Sequence, residues 1–113
     1  MKKVNIYDNL VYSDKKVQIT PLMNTDSSKE IRIVFKKDQI MKDHHTPHPI
    51  AVEIVEGEID FGVKDEVIKL IKGDIVSLEA SVVHNLKAVE DSIVRLTLSK
   101  KDTIARVSGV LKL

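Results

Sequence analysis

Histidines are the residues whose type and spacing could do chemistry in this sequence. His44, His45 and His48 fall within five positions of one another, and His84 follows later in the chain. Neutral imidazole is a common ligand for Zn, Fe, Mn, Ni and Cu. Cys is absent, which excludes thiolate ligands and disulfides, so any metal must be held by imidazole, carboxylate or water. The four histidines are therefore either part of a metal site or polar residues of two loops.

The elements that must position these histidines are predicted to be β-strands. Apolar and polar residues alternate with a period of two over much of 31–98, which predicts an antiparallel all-β domain. In the first strand, Ile31, Ile33 and Phe35 should point one way, and Arg32 and Lys36 the other. The predicted strands are IRIVFK, PIAVEIVEG, EIDFGVK, EVIKLIK, DIVSLE, HNLKAVE and SIVRLTL, with VQIT as a further edge strand.

The segments between and beyond these strands are predicted from their turn residues. Turns are expected at 63–66 and 72–74, and the polar segment NTDSSKE, residues 24–30, is expected to be a solvated loop. After Leu98, apolar residues recur at roughly helical spacing around a Ser-Gly pair. A short helix and another edge strand both remain open for that C-terminal segment.

Strand parity indicates where the histidines point. His44 and His48 share the parity of Ile50 if an extended conformation reaches back through Thr46 and Pro47, which would aim both imidazoles toward the apolar side. Proline can also break strand pairing and rotate the chain. His84 begins a separate strand, so histidines stand at the starts of two strands and could meet at one rim.

The chain resembles a small single-domain cupin, and two motifs carry the resemblance. The first is the histidine region followed by PIAVEIVEG, ending at the turn residue Gly57; the second is GDIVSLEASVVH, from Gly73 to His84. Fifteen residues separate the two motif glycines, a spacing similar to that of compact bacterial cupins. The resemblance implies an antiparallel double-stranded β-helix, or jelly-roll barrel, as one domain over 1–113. Its core would span about 31–98, with the terminal segments as flanking edge elements.

Metal binding is implied by the same resemblance, although the motifs depart from the family pattern. Ile50 stands where metal-binding cupins have a glutamate ligand, and Glu79 and Ser81 stand where proline and glycine are usual. The predicted metal ligands are His44, His48 and His84, with His45, Asp43 or water completing the coordination. The ion that the resemblance implies is a divalent transition metal, Zn, Fe, Mn, Ni or Cu. Loss of the glutamate leaves the site more positive and suited to an anionic ligand.

Three functions are compatible with this sequence. The first is a metal enzyme acting on a small polar substrate as a dioxygenase, isomerase or lyase; the second is a metal-free ligand-binding module; the third is a structural or dimerisation cupin with an apolar pocket. Because every histidine lies within the two motifs, we favour a histidine-rimmed pocket that binds a divalent metal and a small polar ligand. Fold alone does not select a reaction.

Composition and charge narrow the partners. The formal net charge is +1 and the lysines are scattered, so no nucleic-acid partner is expected. The sequence lacks the run of about 18 apolar residues that a membrane span needs, and it lacks the apolar region of a signal peptide, so a cytoplasmic protein is expected. A homodimer is expected from the resemblance, with edges near VQIT and VSGVLKL as interface elements. A monomer in size-exclusion chromatography with light scattering would contradict it.

Overall fold

Two antiparallel sheets make up the computed structural model, which describes residues 1–100. One sheet has five strands in the order β1-β2-β9-β4-β7, and the other has four in the order β3-β8-β5-β6. This confirms the predicted antiparallel all-β class. Within the described part of the chain, no helix is long and apolar enough to cross a membrane. The strands are β1 (Gln18–Asn24), β2 (Ser28–Phe35), β3 (Ile40–His44), β4 (Ile50–Glu56), β5 (Glu58–Val63), β6 (Glu66–Ile71), β7 (Ile75–Leu78), β8 (His84–Ala88) and β9 (Ser92–Ser99).

All eight strands predicted from the alternating pattern are present, and β3 is the one that the pattern missed. The predicted loop over 24–30 is wrong for most of its length, because β1 continues to Asn24 and β2 begins at Ser28. Only residues 25–27 form the turn, which the Thr25 amide closes by donating to the Ser28 carbonyl at 2.9 Å. Polar side chains do not prevent strand pairing when the backbone finds a partner. The C-terminal prediction falls on 101–113, outside the described residues.

The hydrophobic core lies between the two sheets. Phe35, Ile54 and Ile59 are fully buried there, and further apolar residues of both sheets pack around them. Burying one such side chain contributes roughly 1.5–3 kcal/mol to folding, which makes the two inner faces the main source of stability. The predicted inward direction of Ile31, Ile33 and Phe35 is confirmed by their place in this core.

The outer face of β2 is also buried, which the alternating pattern did not predict. Arg32 is 4% exposed because the N-terminal segment, residues 1–17, covers it. Its guanidinium donates to the carbonyl oxygens of Ile6 and Asp8, each at 2.7 Å. Farther along, the Lys36 ammonium lies 2.7 Å from the Asp14 carboxylate. The N-terminal segment thus adds a layer to the five-stranded sheet.

Two glycines with positive φ close tight turns, and their surroundings differ. Gly57 has φ +93° between β4 and β5, and Gly73 has φ +94° between β6 and β7. A Cβ on Gly57 would contact the Ser92 hydroxyl and lie 2.5 Å from the Asp91 carbonyl oxygen, whereas a Cβ on Gly73 would meet nothing within 4 Å. Backbone strain applies to both sites, and a steric clash applies to Gly57 alone.

Replacing these two glycines by alanine should separate strain from clash. Gly73→Ala should lower the free energy of unfolding by about 1–2 kcal/mol, the cost of a left-handed conformation for an L-residue. Gly57→Ala should cost a further ~1–3 kcal/mol, because its Cβ overpacks against Asp91 and Ser92. Urea unfolding of the two variants beside the wild type measures the difference. Equal losses of unfolding free energy in the two variants would show that Asp91 and Ser92 move away from the new Cβ at position 57 without an energetic cost.

Candidate functional site

A β-bulge turns His44 toward the interior. Met41 pairs with Leu86 and His44 pairs with His84, so three residues of β3 span the length of two residues of β8. In a regular strand without a bulge, Met41 and His44, three positions apart, would lie on opposite faces. Met41 packs against the core, and His44 lies beside His84.

The two paired histidines are in ring contact. Their imidazole centroids are 4.3 Å apart and the ring planes are inclined by 59°. On its other side, His84 stacks on the Phe61 ring, with centroids 5.8 Å apart and an interplanar angle of 20°. His84 is 4% exposed, while His44 is partly exposed at the rim. The pair therefore has one imidazole, His44, at the solvent-facing rim and the other, His84, in the interior between the sheets.

Backbone carbonyls fix the same ring nitrogen of both histidines. The Nδ1 atom of His44 is 2.6 Å from the Lys42 carbonyl oxygen, and that of His84 is 2.9 Å from the Val82 carbonyl oxygen. A carbonyl only accepts, so Nδ1 donates in each case and a neutral ring keeps its lone pair on Nε2. Metal-binding histidines are commonly oriented by this kind of second hydrogen bond.

Burial keeps His84 in the neutral form that can act as a ligand. Desolvation lowers its pKa below the ordinary value of 6.5, and nearby His44 and His45 lower it further. The Val82 carbonyl and the Asp43 carboxylate raise the pKa without reversing the shift.

Of the four predicted metal ligands, the fold brings His44 and His84 together. Among residues 1–100 there is no group of three or more His, Cys, Asp or Glu side chains that could hold a metal ion. His45 is exposed and His48 half-buried in the connection between β3 and β4. Metal coordination by His45 and His48 thus stays a prediction, because the described residues do not form a group of three or more ligands.

The extended path that would have carried His48 to the inner face is not present. Residues 45–49 lie outside the strands, with a bend at Pro47 and His48. The Thr46 hydroxyl closes this bend, accepting from the His48 amide at 3.1 Å and donating to the His48 carbonyl at 2.9 Å. The condition on which the parity argument for His48 depends is therefore not met, as expected where proline lacks the N–H that a continuous strand would use.

Carboxylates near the histidines point elsewhere or are missing. The Asp43 carboxylate accepts a hydrogen bond from the side-chain Nδ2 of Asn85 at 2.8 Å, and Asn85 has the opposite parity to the inward His84. Ile50, at the position of the family's glutamate, is 5% exposed within the core cluster. The inner surface beside the histidine pair therefore has an apolar side chain at position 50 and no carboxylate from Asp43.

The loop before His84 is tied to the histidine loop of the first motif. The Ser81 amide donates to the Thr46 carbonyl at 2.8 Å. Ser81 has φ +67°, a conformation that glycine, the usual residue of this motif, adopts without strain. The departure at Ser81 therefore costs backbone energy but leaves the two loops joined.

Sequence reasoning missed the immediate surroundings of His84. Phe61 lies in the predicted strand EIDFGVK, but nothing in the local pattern assigned it to His84. Val63, the register partner of His84 on β5, was likewise not connected to the site. Both contacts depend on the register of β5 against β8, which only long-range pairing sets.

Comparison with solved structures identifies the fold. An RmlC-like cupin from Desulfovibrio desulfuricans superposes with a TM-score of 0.80 at 24% identity, covering 88% of this chain and 96% of that one. A cupin superfamily protein from Desulfitobacterium hafniense gives 0.75 at 14% identity over 81% and 84%. An uncharacterised protein with a double-stranded β-helix domain from Klebsiella pneumoniae gives 0.78 at 18% identity over 87% and 84%.

The chain thus has the cupin fold, a double-stranded β-helix, as the two motifs predicted. No protein-family model matches the sequence, and no curated protein matches it. At sequence identities of 14–24%, these structures establish the fold alone, and the chemistry has to be inferred from the residues of the site.

The lowered pKa of His84 predicts how metal-free protein responds to acid. Between the folded pKa and the unfolded value of 6.5, the unfolded state binds more protons than the folded state. Stability from neutral His84 is therefore present above about pH 6.5 and is lost as pH falls through the folded pKa. Urea unfolding between about pH 8 and about pH 5, with chelator present, measures this loss. His84→Gln should flatten the dependence, and His48→Gln, which replaces an imidazole that does not contribute to the shift at His84, should preserve it. An unchanged slope in His84→Gln would contradict the assignment.

Proposed function

We propose that this protein binds a divalent transition metal, Zn, Fe, Mn, Ni or Cu, through Nε2 of His44 and His84 and uses it to hold a small polar ligand. The observation that carries the proposal is the cross-strand histidine pair with both Nδ1 atoms held by carbonyls. Because each Nδ1 atom is held by a carbonyl, this arrangement leaves Nε2 of both imidazoles available to bind a metal.

The donor set fits an open coordination sphere. Two imidazoles supply two ligands, and the remaining positions would go to water, to the bound ligand, or to His48 or His45. Open positions are typical of catalytic metal sites, whereas structural sites are closed by four protein ligands. A bound metal would act there as a Lewis acid toward an oxygen of the ligand.

The residues of the chain have a separate task in this proposal. The carbonyls of Lys42 and Val82 orient the two rings, and Phe61 keeps water from one face of His84. No side chain here is assigned to proton transfer or nucleophilic attack, so the proposal is binding, with the reaction left open.

A metal-free cupin, binding a small ligand or serving structure and dimerisation, is the second candidate. Buried Ile50 in place of the family's glutamate favours it, because a two-histidine site binds metal more weakly than a site with a third charged ligand. In that case the pair would serve packing and hydrogen bonding alone.

The homodimer, cytoplasmic location and absence of a nucleic-acid partner stay predictions. The homodimer is supported by the position of β1 at the edge of the five-stranded sheet, where Ile19 is 57% exposed. An exposed edge with an apolar residue is a ready pairing surface. The other predicted interface element, VSGVLKL, lies outside the described residues.

Metal titration tests the proposal. Untagged protein, stripped with chelator, should take up close to one ion per chain when titrated with Mn, Fe, Ni, Cu or Zn and analysed by calorimetry and elemental analysis. His44→Ala and His84→Ala should each weaken binding by at least about 100-fold, since removing a ligand costs at least as much as removing the group that orients it, about 10–100-fold. His48→Ala then reports whether that imidazole completes the coordination.

His45→Ala, which removes an exposed imidazole outside the paired strands, should weaken binding far less than His44→Ala. A loss in His45→Ala as large as in His44→Ala would reject the assignment to the pair. Wild-type protein that takes up none of the five metals would favour the metal-free alternative.

A further inference from the structure

We infer that the ligand is a small amphipathic monocarboxylate, whose apolar body occupies a cleft between β6 and β7 and whose carboxylate lies toward the histidine pair. The carboxylate end rests on the proposed function, and the apolar end rests on the cleft alone.

The cleft lies where the two sheets are not joined. β6 is the last strand of the four-stranded sheet and β7 is the last strand of the five-stranded sheet. Between them is a cavity of about 170 Å³. It is lined by Phe61, Val63, Glu66, Ile68, Val76 and Leu78.

One row of register partners connects the cleft to the histidines. His44 pairs with His84, His84 pairs with Val63, and Val63 pairs with Glu66, across all four strands of the sheet. Phe61, which lines the cleft, also stacks on the His84 ring. A molecule with its head at the pair would therefore extend its body along this row into the cleft.

Size and polarity limit the body of the ligand. A cavity of about 150 Å³ can hold benzene, so 170 Å³ accepts a phenyl ring or a branched chain of about four or five carbons. The Glu66 carboxylate is the one charged group of the lining, and the other five side chains are apolar. A sugar or other polyol would lose hydrogen bonds to water without replacing them there.

The charges near the histidine pair and in the cleft determine which charge each end of the ligand can carry. Asp43 is engaged with Asn85 and Ile50 is apolar, so neither supplies a carboxylate to offset a dication held by two neutral imidazoles. A ligand carboxylate would supply that charge. Glu66 stands two strand spacings from His84, roughly 10 Å away, and would repel a second carboxylate at the far end.

Binding of defined probes to zinc-loaded protein tests the inference. Phenylacetate and 3-methylbutanoate should each bind at least about 10-fold tighter than glutarate or the neutral benzyl alcohol, by calorimetry. Val76→Phe, which fills the cleft, should weaken phenylacetate binding by about 10-fold or more while zinc affinity stays unchanged. Ile75→Phe, at the exposed neighbouring position, is the matched control and should bind like the wild type. Glu66→Gln should narrow the preference for phenylacetate over glutarate.

The outcomes separate this inference from the proposed function. Zinc binding with equal phenylacetate affinity in wild type and Val76→Phe overturns the inference and leaves the metal site standing. Failure of zinc binding, with phenylacetate still bound and lost in Val76→Phe, overturns the metal site and supports the cleft. No phenylacetate binding with or without zinc overturns the inference. If Val76→Phe does not fold, nuclear Overhauser contacts from phenyl protons to the Val63 and Leu78 methyl groups decide, and their absence counts against the cleft.

Discussion

The β-bulge between Met41 and His44 is the constraint on which the site depends. It lets both residues face inward although they are three positions apart, so β3 contributes Met41 to the core and His44 to the rim. A regular strand would have presented only one of them to the interior. The histidine pair is thus a consequence of irregular strand pairing.

A row of register partners crosses the same four-stranded sheet, from the two histidines through apolar Val63 to the Glu66 carboxylate. Desolvation at His84 favours neutral imidazole and lowers its pKa, so the environment that packs Phe61 against the ring also prepares it as a ligand. Packing and electrostatics act in the same direction at this position.

In the five-stranded sheet, the outer face is partly covered, so a charged side chain that lies there needs hydrogen-bond partners. Arg32 stands opposite Arg95 in the register of β2 and β9. Arg95 lies 3.0 Å from the Glu30 carboxylate, whereas Arg32 is bound by carbonyls of the N-terminal segment, and its Nε has no partner within residues 1–100. Covering Arg32 therefore requires residues far away in the sequence, which explains why strand alternation did not predict its burial.

Local patterning was enough to predict most strands, the turns at Gly57 and Gly73, and the two strand starts that carry histidines. Those features depend on side-chain alternation and on the backbone freedom of glycine, which are properties of short segments. Three features depend instead on how distant strands align. They are the formation of β3, the pairing of His44 with His84, and the apolar cleft between β6 and β7. A bulge shifts alternation by one residue, so the fold places His44 against His84 and turns Asp43 to Asn85. No short segment contains that information, because register is set by pairing across the whole sheet.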